Sequence, residues 1–422
     1  MSTRYVLGLG GTVDYEIGWD AERLSRLAQE WAIGPDELDA GAPITGERDL
    51  LRSLLGFVRD GAGGERFVAS SDIVGAFARR FPLRVTLGGT CVRAAMAMDR
   101  AVGLGALVHL VSIDDDVRRL LPASTTWLCS ADRDTTDPHL IVQFPARSPV
   151  RVGDTEVVAA QPNRIIYVND PPNRELVLHP RLGQEIAAAD VVLVSGFNVI
   201  QDPGTLRDRL TTLAADLDGR RAGSFVYFED AGYHVPALRR HVRDLLAGRV
   251  DVWAMNEDEL QSWTGRAVDL LDAADVRAAL AELRALVPAR VLVVHTRYWA
   301  LAEGVGAGGL RAALRGGIVM ASTRYLHGDD FDRADHAAVA ALAPGADGTA
   351  FTRAVETGAD DLVCEAAYLL DVAHPTTIGL GDTFVGGFLA ALDGLDRPDG
   401  PDRPDRATAS EAAPVLHGVD RA

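Results

Sequence analysis

The chain of 422 residues contains no lysine, so all 42 of its basic positions are arginine. A Walker-type phosphate loop needs its lysine, a protein kinase needs one on a strand, and a Schiff-base enzyme needs an amine, so these three chemistries are excluded. Cysteine is nearly absent as well. Cys91, Cys129 and Cys364 lie far apart without metal-ligand spacing and read as reduced thiols of a cytoplasmic protein. No apolar run approaches the length of a membrane-spanning helix, and the strand-like run Tyr5 to Leu9 has no charged leader before it. Positive charge is also in deficit: the formal net charge is -18 and the sequence pI about 5.0, which argues against nucleic acid or an anionic membrane as partner.

What is present is a hydrophobic fraction of 47%, ample for a large core, and one conspicuous stretch near the end of the chain. Thr376-Thr377-Ile378-Gly379-Leu380-Gly381-Asp382-Thr383 reads as a glycine-rich turn opening into the apolar run Phe384 to Leu392. Glycines flanking Leu380 let the backbone turn tightly and bring N–H groups close to a ligand. The first N–H groups of the following helix lack intrahelical partners and carry the positive end of its dipole, a natural seat for phosphate. A carboxylate there repels phosphate, so Asp382 is either an ordinary cap or a general base that takes a proton from an attacking hydroxyl.

The rest of the chain alternates strands with helices. Tyr5 to Leu9 leads through Gly10 and Gly11 to Asp14, expected at a crevice beyond a strand end, where open α/β sheets bind ligands. Glu65 follows the glycine-rich loop Gly61 to Gly64 and reads by itself as a solvated charge. Gly88-Gly89-Thr90 forms another turn before the helix Cys91 to Val102, and Thr90 could simply cap it. Short β-like runs between Arg147 and Asp170 suggest a separate small sheet. Strands at Val191 to Ser195, Phe225 to Phe228, Val252 to Met255 and Val291 to Thr296, with helices between, predict a parallel sheet. A hairpin is expected over Arg311 to Arg315 and Gly317 to Ala321. Strand ends carry Glu229, then Asn256-Glu257-Asp258-Glu259, then His295-Thr296. Glu229 and Glu259 can hold Mg²⁺ through waters, or simply cap helices and carry surface charge. Residues 396–422, rich in Pro, Asp and Arg, read as a disordered tail.

With these residues in place, the chain resembles the ADP-dependent glucokinase/phosphofructokinase family of the ribokinase-like superfamily, over about Tyr5 to Leu392. Gly379-Leu380-Gly381-Asp382 is similar to its G-x-G-D motif and Asn256 to Glu259 to its N-x-x-E motif. The resemblance implies that Asp382 is the base and that the Gly379, Leu380 and Gly381 amides hold the moving phosphoryl group. It implies Mg²⁺ as cofactor, held by Glu259 and Glu229, with Tyr227 where the family's H-x-E motif has histidine. Asn256, His295 and Thr296 would face the nucleotide. Asp14, Glu65, Gly88, Gly89, Thr90 and His139 would bind the sugar, and Arg164 would reach the transferred phosphate as a fork-shaped cation. Gly10, Thr12 and Thr90 stand where relatives carry amide side chains, so the polyol would be held differently or be another polyol.

The fold implied is α/β, a ribokinase-like three-layer sandwich with a mainly parallel central sheet plus a smaller α/β lid. Residues 1–10, 87–123 and 175–395 would form the large domain, and residues 11–86 and 124–174 the discontinuous lid. The implied activity is transfer of a phosphoryl group from ADP to a non-phosphorylated hexose such as glucose, by a monomer or small homo-oligomer. ADP as donor comes from the resemblance alone. An ATP-dependent kinase of another sugar or nucleoside, and a binding protein without turnover, are the two alternatives.

Overall fold

The computed structural model describes residues 3–372, 376 and 378–393, so the expected tail at 396–422 and Thr377 lie outside the described residues. Ten strands come from the first part of the chain: β1 (Tyr5–Leu7), β2 (Thr12–Ile17), β3 (Gly64–Phe67), β4 (Leu83–Gly88), β5 (Leu107–Leu110), β6 (Thr126–Cys129), β7 (His139–Phe144), β8 (Val150–Val152), β9 (Thr155–Val157) and β10 (Asn163–Val168). The second part supplies β11 (Val191–Val194), β12 (Phe225–Glu229), β13 (Val252–Asn256), β14 (Val291–His295), β15 (Trp299–Gly304) and β16 (Leu362–Ala366). Nine of them form one sheet in the order β16-β15-β14-β13-β12-β11-β1-β5-β6. It is parallel except for β15, which runs antiparallel to both β14 and β16.

The central strands are continuous apolar runs because both faces of the sheet are covered. Val192 and Val194 join a core beneath the helices Pro203–Asp218, Arg239–Leu246 and Ala273–Leu286. Val191 and Leu193 point the other way, into a core shared with three helices that matter below. These are α1 (Thr90–Val102), α3 (Arg311–His327) and α4 (Leu380–Ala390); α2 (Glu257–Thr264) lies on the first face. The result is a three-layer α/β sandwich. α3 and α4 cross with almost nothing between them: a Cβ on Gly316 would stand 2.7 Å from the Gly387 carbonyl oxygen. α1 closes the other side, where a Cβ on Gly386 would stand 2.8 Å from the Ala94 oxygen.

The second sheet, β3-β10-β7-β2-β4, carries its own core on one side, formed with the helices Ala21–Glu30, Glu47–Asp60 and Ser71–Ala78. β8 and β9 form a separate two-stranded ribbon.

Two sequence expectations are corrected. Arg311 to Ala321 is helix, not hairpin; Gly316 and Gly317, which read as a turn, are the small residues that let α4 approach. Thr126–Cys129, assigned above to the smaller domain, pairs with β5 at the edge of the large sheet, where its backbone satisfies the otherwise open N–H and C=O groups of that strand. Of the short runs between Arg147 and Asp170, β10 does lie in a sheet separate from the large one, the five-stranded sheet in which it joins β3 and β7, while β8 and β9 pair by themselves.

Candidate active site

Strand register decides which side chains share a face. In the small sheet Leu140, Val142, Ile165, Tyr167 and Ile17 point into its core. Side chains alternate along a strand, so His139, Arg164, Asp14 and Glu16 point to the opposite face. Asp14 pairs with His139, Arg164 with Gln143, and Glu65 with Ile166, so Asp14, His139, Arg164 and Glu65 lie together on the face turned away from that core. Two expectations change in detail: Asp14 lies within β2 rather than beyond a strand end, and Glu65 lies within β3 rather than in a loop.

This face meets the large sandwich through side-chain pairs. Asp14, 5% exposed, accepts from the Thr12 hydroxyl at 2.7 Å and from Arg93 Nη2 of α1 at 2.8 Å. Glu65 Oε1 lies 3.1 Å from Nε2 of His234, in the segment after β12, and the His234 ring meets Phe67 edge-on. His139 Nε2 bonds Asp170 Oδ2 at 3.0 Å. Burial lowers the His139 imidazole, but the Asp170 hydrogen bond and charge, with Asp14 and Glu65 beyond, outweigh it and hold the pKa above its ordinary value. Asp170 is fixed in turn by Asn173, whose amide also donates to the Gly11 carbonyl at 2.9 Å. Arg164 is exposed.

Gly88 and Gly89 are required by the close pass of β4 against β2. A Cβ at Gly88 would strike the Thr12 and Asp14 side chains, and one at Gly89, whose φ is 85°, would stand 2.9 Å from Gly11 Cα. Gly89 is the residue that caps α1; Thr90 instead donates its hydroxyl to Asp382 Oδ1 at 2.8 Å. Thr90 therefore braces a carboxylate on another helix.

The glycine turn holds Gly379 at φ 68°, the left-handed conformation glycine adopts without strain, and α4 starts at Leu380. Asp382 stands in the first turn, its side chain 26% exposed. Behind the turn, Arg324 Nε donates to the Ile378 carbonyl at 2.9 Å and its Nη1 pairs with Asp329. On the opposite side, Gly381 lies against the His295 ring: a Cβ there would sit 3.4 Å from His295 Cε1. His295 stacks on Phe384, with ring centroids 4.5 Å apart.

His295 Nε2 bonds Glu229 Oε1 at 2.8 Å. Burial lowers the imidazole, yet Glu229, Glu259 and Glu257 around it raise it further than burial depresses it. The second Glu229 oxygen, Oε2, is buried without a hydrogen bond of normal geometry, and the donor beside Glu229 is the equally buried, unpaired Tyr227 hydroxyl. Asn256 caps α2, accepting from the Asp258 and Glu259 amides, while Glu259 Oε2 returns a bond to the Asn256 amide at 2.9 Å. This capping box explains N-x-x-E as a local fold signal. It leaves Glu259 with one free oxygen and a pKa pushed up to about 7, chiefly by burial, with Glu229 adding to it. A carboxylate oxygen without a well-formed hydrogen bond, beside a carboxylate that burial makes reluctant to ionise, fits a divalent cation. Among the described residues no group of three or more acidic, His or Cys side chains is arranged to hold a metal ion, so such an ion would keep much of its water. Thr296 is occupied in the β14–β15 turn, where its hydroxyl oxygen accepts from the Tyr298 and Trp299 amides.

The structure thus brings Asp14, Gly88, Gly89, Thr90, Gly379, Leu380, Gly381 and Asp382 around one junction, with Glu229, Asn256, Glu259 and His295 on the sheet side of α4. Sequence reasoning missed Arg93, Arg324, Asp329, Asp170 and His234. The signal for Arg93 is weak: it is the one charge in the first two turns of a helix that carries Asp99 and Arg100 near its end.

Among the described residues no helix is long and apolar enough to cross a membrane. No curated protein sequence matches the chain significantly. A hypothetical ADP-dependent phosphofructokinase from Pyrococcus horikoshii OT3 shares 15% identity at a TM-score of 0.73, with 93% of this chain and 98% of that chain covered. A last common ancestor of ADP-dependent phosphofructokinases from Methanosarcinales gives 13% identity and a TM-score of 0.71, with coverage of 93% and 94%. An ADP-dependent kinase solved with fructose-6-phosphate and ADPβS gives 13% identity and a TM-score of 0.67, again with 93% and 94% covered. At these identities the likeness shows the fold. The model of the ADP-specific phosphofructokinase/glucokinase conserved region matches residues 3–331, well over half of the chain. By that match this protein belongs to the ADP-specific phosphofructokinase/glucokinase family, kinases of sugars that draw their phosphoryl group from ADP.

Proposed function

We propose that the chain transfers the terminal phosphoryl group of ADP to a hydroxyl of a non-phosphorylated hexose such as glucose, releasing AMP. The observation that carries this reading is the position of Asp382, in the first turn of α4 and braced by Thr90, at the junction with the Asp14 face. The acceptor side supports a neutral sugar: Asp14, Glu65, Asp137 and Asp170 surround His139, an acidic setting that repels a sugar phosphate. The free thiols Cys91, Cys129 and Cys364 suit a cytoplasmic enzyme.

In this mechanism Asp382 takes the proton of the attacking hydroxyl, and the amides of Gly379, Leu380 and Gly381 receive the charge that spreads over the phosphoryl oxygens. Asp14 and His139 orient the acceptor. Arg164, exposed on the same face, reaches the phosphates when the small sheet closes as a lid and expels water that would compete as acceptor. Asn256, His295 and Thr296 line the nucleotide side. Glu229 and Glu259 would hold Mg²⁺ through water, and the bound ion supplies charge neutralisation at the phosphates.

The test is a matrix of ADP and ATP with Mg²⁺ against glucose, fructose 6-phosphate, other hexoses, amino sugars and nucleosides, reading AMP or ADP released above hydrolysis. AMP formed with glucose is the expected result; ATP-only turnover, or fructose 6-phosphate as the preferred acceptor, sinks it. In the active pair, Asp382→Asn should lower kcat by about 10³-fold while nucleotide binding persists.

A further inference from the structure

Arg93 is almost fully buried, and its side chain faces three carboxylates from three parts of the fold. Nη2 donates to Asp14 of the small sheet at 2.8 Å, Nε lies 3.8 Å from Asp382 Oδ2 on α4, and Nη1 lies 3.9 Å from Asp329 Oδ1 beyond α3. A guanidinium whose purpose was to neutralise one carboxylate would dock bidentate on it. This one is stretched between partners, with Nη1 buried and without a hydrogen bond. It also lies flat against the phosphate-binding turn: a Cβ on Gly379 would stand 2.7 Å from Arg93 Cδ. Arg324, which shares Asp329 with Arg93, holds the chain entering the turn through the Ile378 carbonyl.

We propose that Arg93 is a positioning residue for phosphoryl transfer, a rigid tie that sets the distance between the acceptor-holding carboxylate Asp14 and the base Asp382 and backs the Gly379 turn between them. The proposal rests on the function argued above, since it presupposes that Asp382 and Asp14 act on one acceptor. Its logic is that of approach geometry: attacking oxygen and phosphoryl group must meet in line, and a misplacement of about 1 Å costs on the order of 10²-fold in rate. Asp14 stands on one sheet, Asp382 on a helix packed against the other, and both contact the Arg93 guanidinium. Its charge is permanent: burial opposes it, but Asp14, Asp382 and Asp329 hold its pKa above the ordinary value. An ammonium cannot make the same tie, because its donors radiate from one point rather than along a planar fork.

The experiment uses the full-length chain with its best donor and acceptor, and compares Arg93→Met, Arg93→Lys, Asp14→Asn and the double variant R93M/D14N. Folding is checked by circular dichroism and thermal melting. R93M is expected to lose about 10²-fold in kcat with the KM for nucleotide within about twofold of the parent, and R93K to recover only part of the loss. The double variant should be no slower than R93M alone, because Asp14 loses its fixed placement once the tie is gone. A folded R93M, or a folded R93K should R93M not fold, with kcat within about twofold of the parent overturns the proposal; so does a fall in kcat matched by an equal rise in nucleotide KM. Asp382→Asn in the same assay separates the two readings. Turnover surviving in that variant, or a parent that turns over no acceptor, overturns the function and this inference with it; a dead D382N beside a parent-like R93M overturns only the tie.

Discussion

Two charged clusters flank the start of α4, and they are built on opposite principles. On the small-sheet side Asp14, Asp329 and Asp382 meet Arg93 and Arg324, with Arg84 reaching Asp329 from β4. Their charges balance, and the cations cannot be discharged near neutral pH. On the large-sheet side Glu229, Glu257 and Glu259 surround the single imidazole of His295. Negative charge is in excess there, one Glu229 oxygen lacks a hydrogen bond of normal geometry, and Glu259 is pushed up to about 7. The first cluster matches its carboxylates with permanent cations, although Arg93 Nη1 is left without a hydrogen bond. The second leaves negative charge uncompensated, the setting that the proposed Mg²⁺ would neutralise.

Breaking the closed cluster should cost most. Asp329→Asn leaves the buried Arg324 without its partner, and should lower unfolding stability by about 3–5 kcal/mol in urea titration. The pH dependence has a defined sign. Burial pushes the Asp329 carboxyl up, but Arg324 and Arg93 pull it down further, so its folded pKa lies below the ordinary value. Its contribution is therefore complete above the unfolded carboxylate pKa, about pH 4, and is lost as pH falls through the folded value. The Asn variant should lose less stability than the parent between pH 5 and the acid limit; an unchanged acid limb would place the closing charge elsewhere.

If the proposed metal site is right, a change in the open cluster should be read in metal dependence rather than in denaturation. Glu259→Gln keeps the cap on α2, because glutamine also serves in a capping box, but removes a negative charge. The Mg²⁺ concentration for half-maximal turnover should rise at least about tenfold with stability nearly unchanged. If melting falls while Mg²⁺ dependence stays the same, the cluster is structural and the contrast with its neighbour disappears. The smallest effect belongs to the contact between helices: Thr90→Val removes the hydroxyl that donates to Asp382 and should cost about 1 kcal/mol in the transition state, about fivefold in kcat.

The sequence disclosed the two ends of the active junction better than its middle. Val191–Val194 and Val252–Asn256 were legible because buried parallel strands are uninterrupted apolar runs, and Gly379 to Asp382 because a tight turn before a helix needs glycine. β15 and β16 were not read, since apolar runs rich in Ala and Cys carry little β signal. The helix Arg311–His327 was misread because Gly316-Gly317 normally marks a break, and only the tertiary partner α4 reveals the pair as a contact surface. Arg93 escaped because a single charge in a helix reads as solvent-facing until the strand carrying Asp14 is folded against it.

Gly316, Gly386 and Gly387 were described above as the places where α3, α1 and α4 touch backbone to backbone, and Gly379 lies just as closely on Arg93. The consequence is evolutionary. Positions where even a methyl group collides cannot drift, so the start of α4 and the helices packed on it have almost no neighbouring sequences to explore. The open face of the small sheet, where Glu65 and Arg164 are partly or fully exposed, is free to vary one side chain at a time. On the proposed function, new acceptors are therefore reachable by descent from this chain while the packing around the Gly379 turn stays fixed.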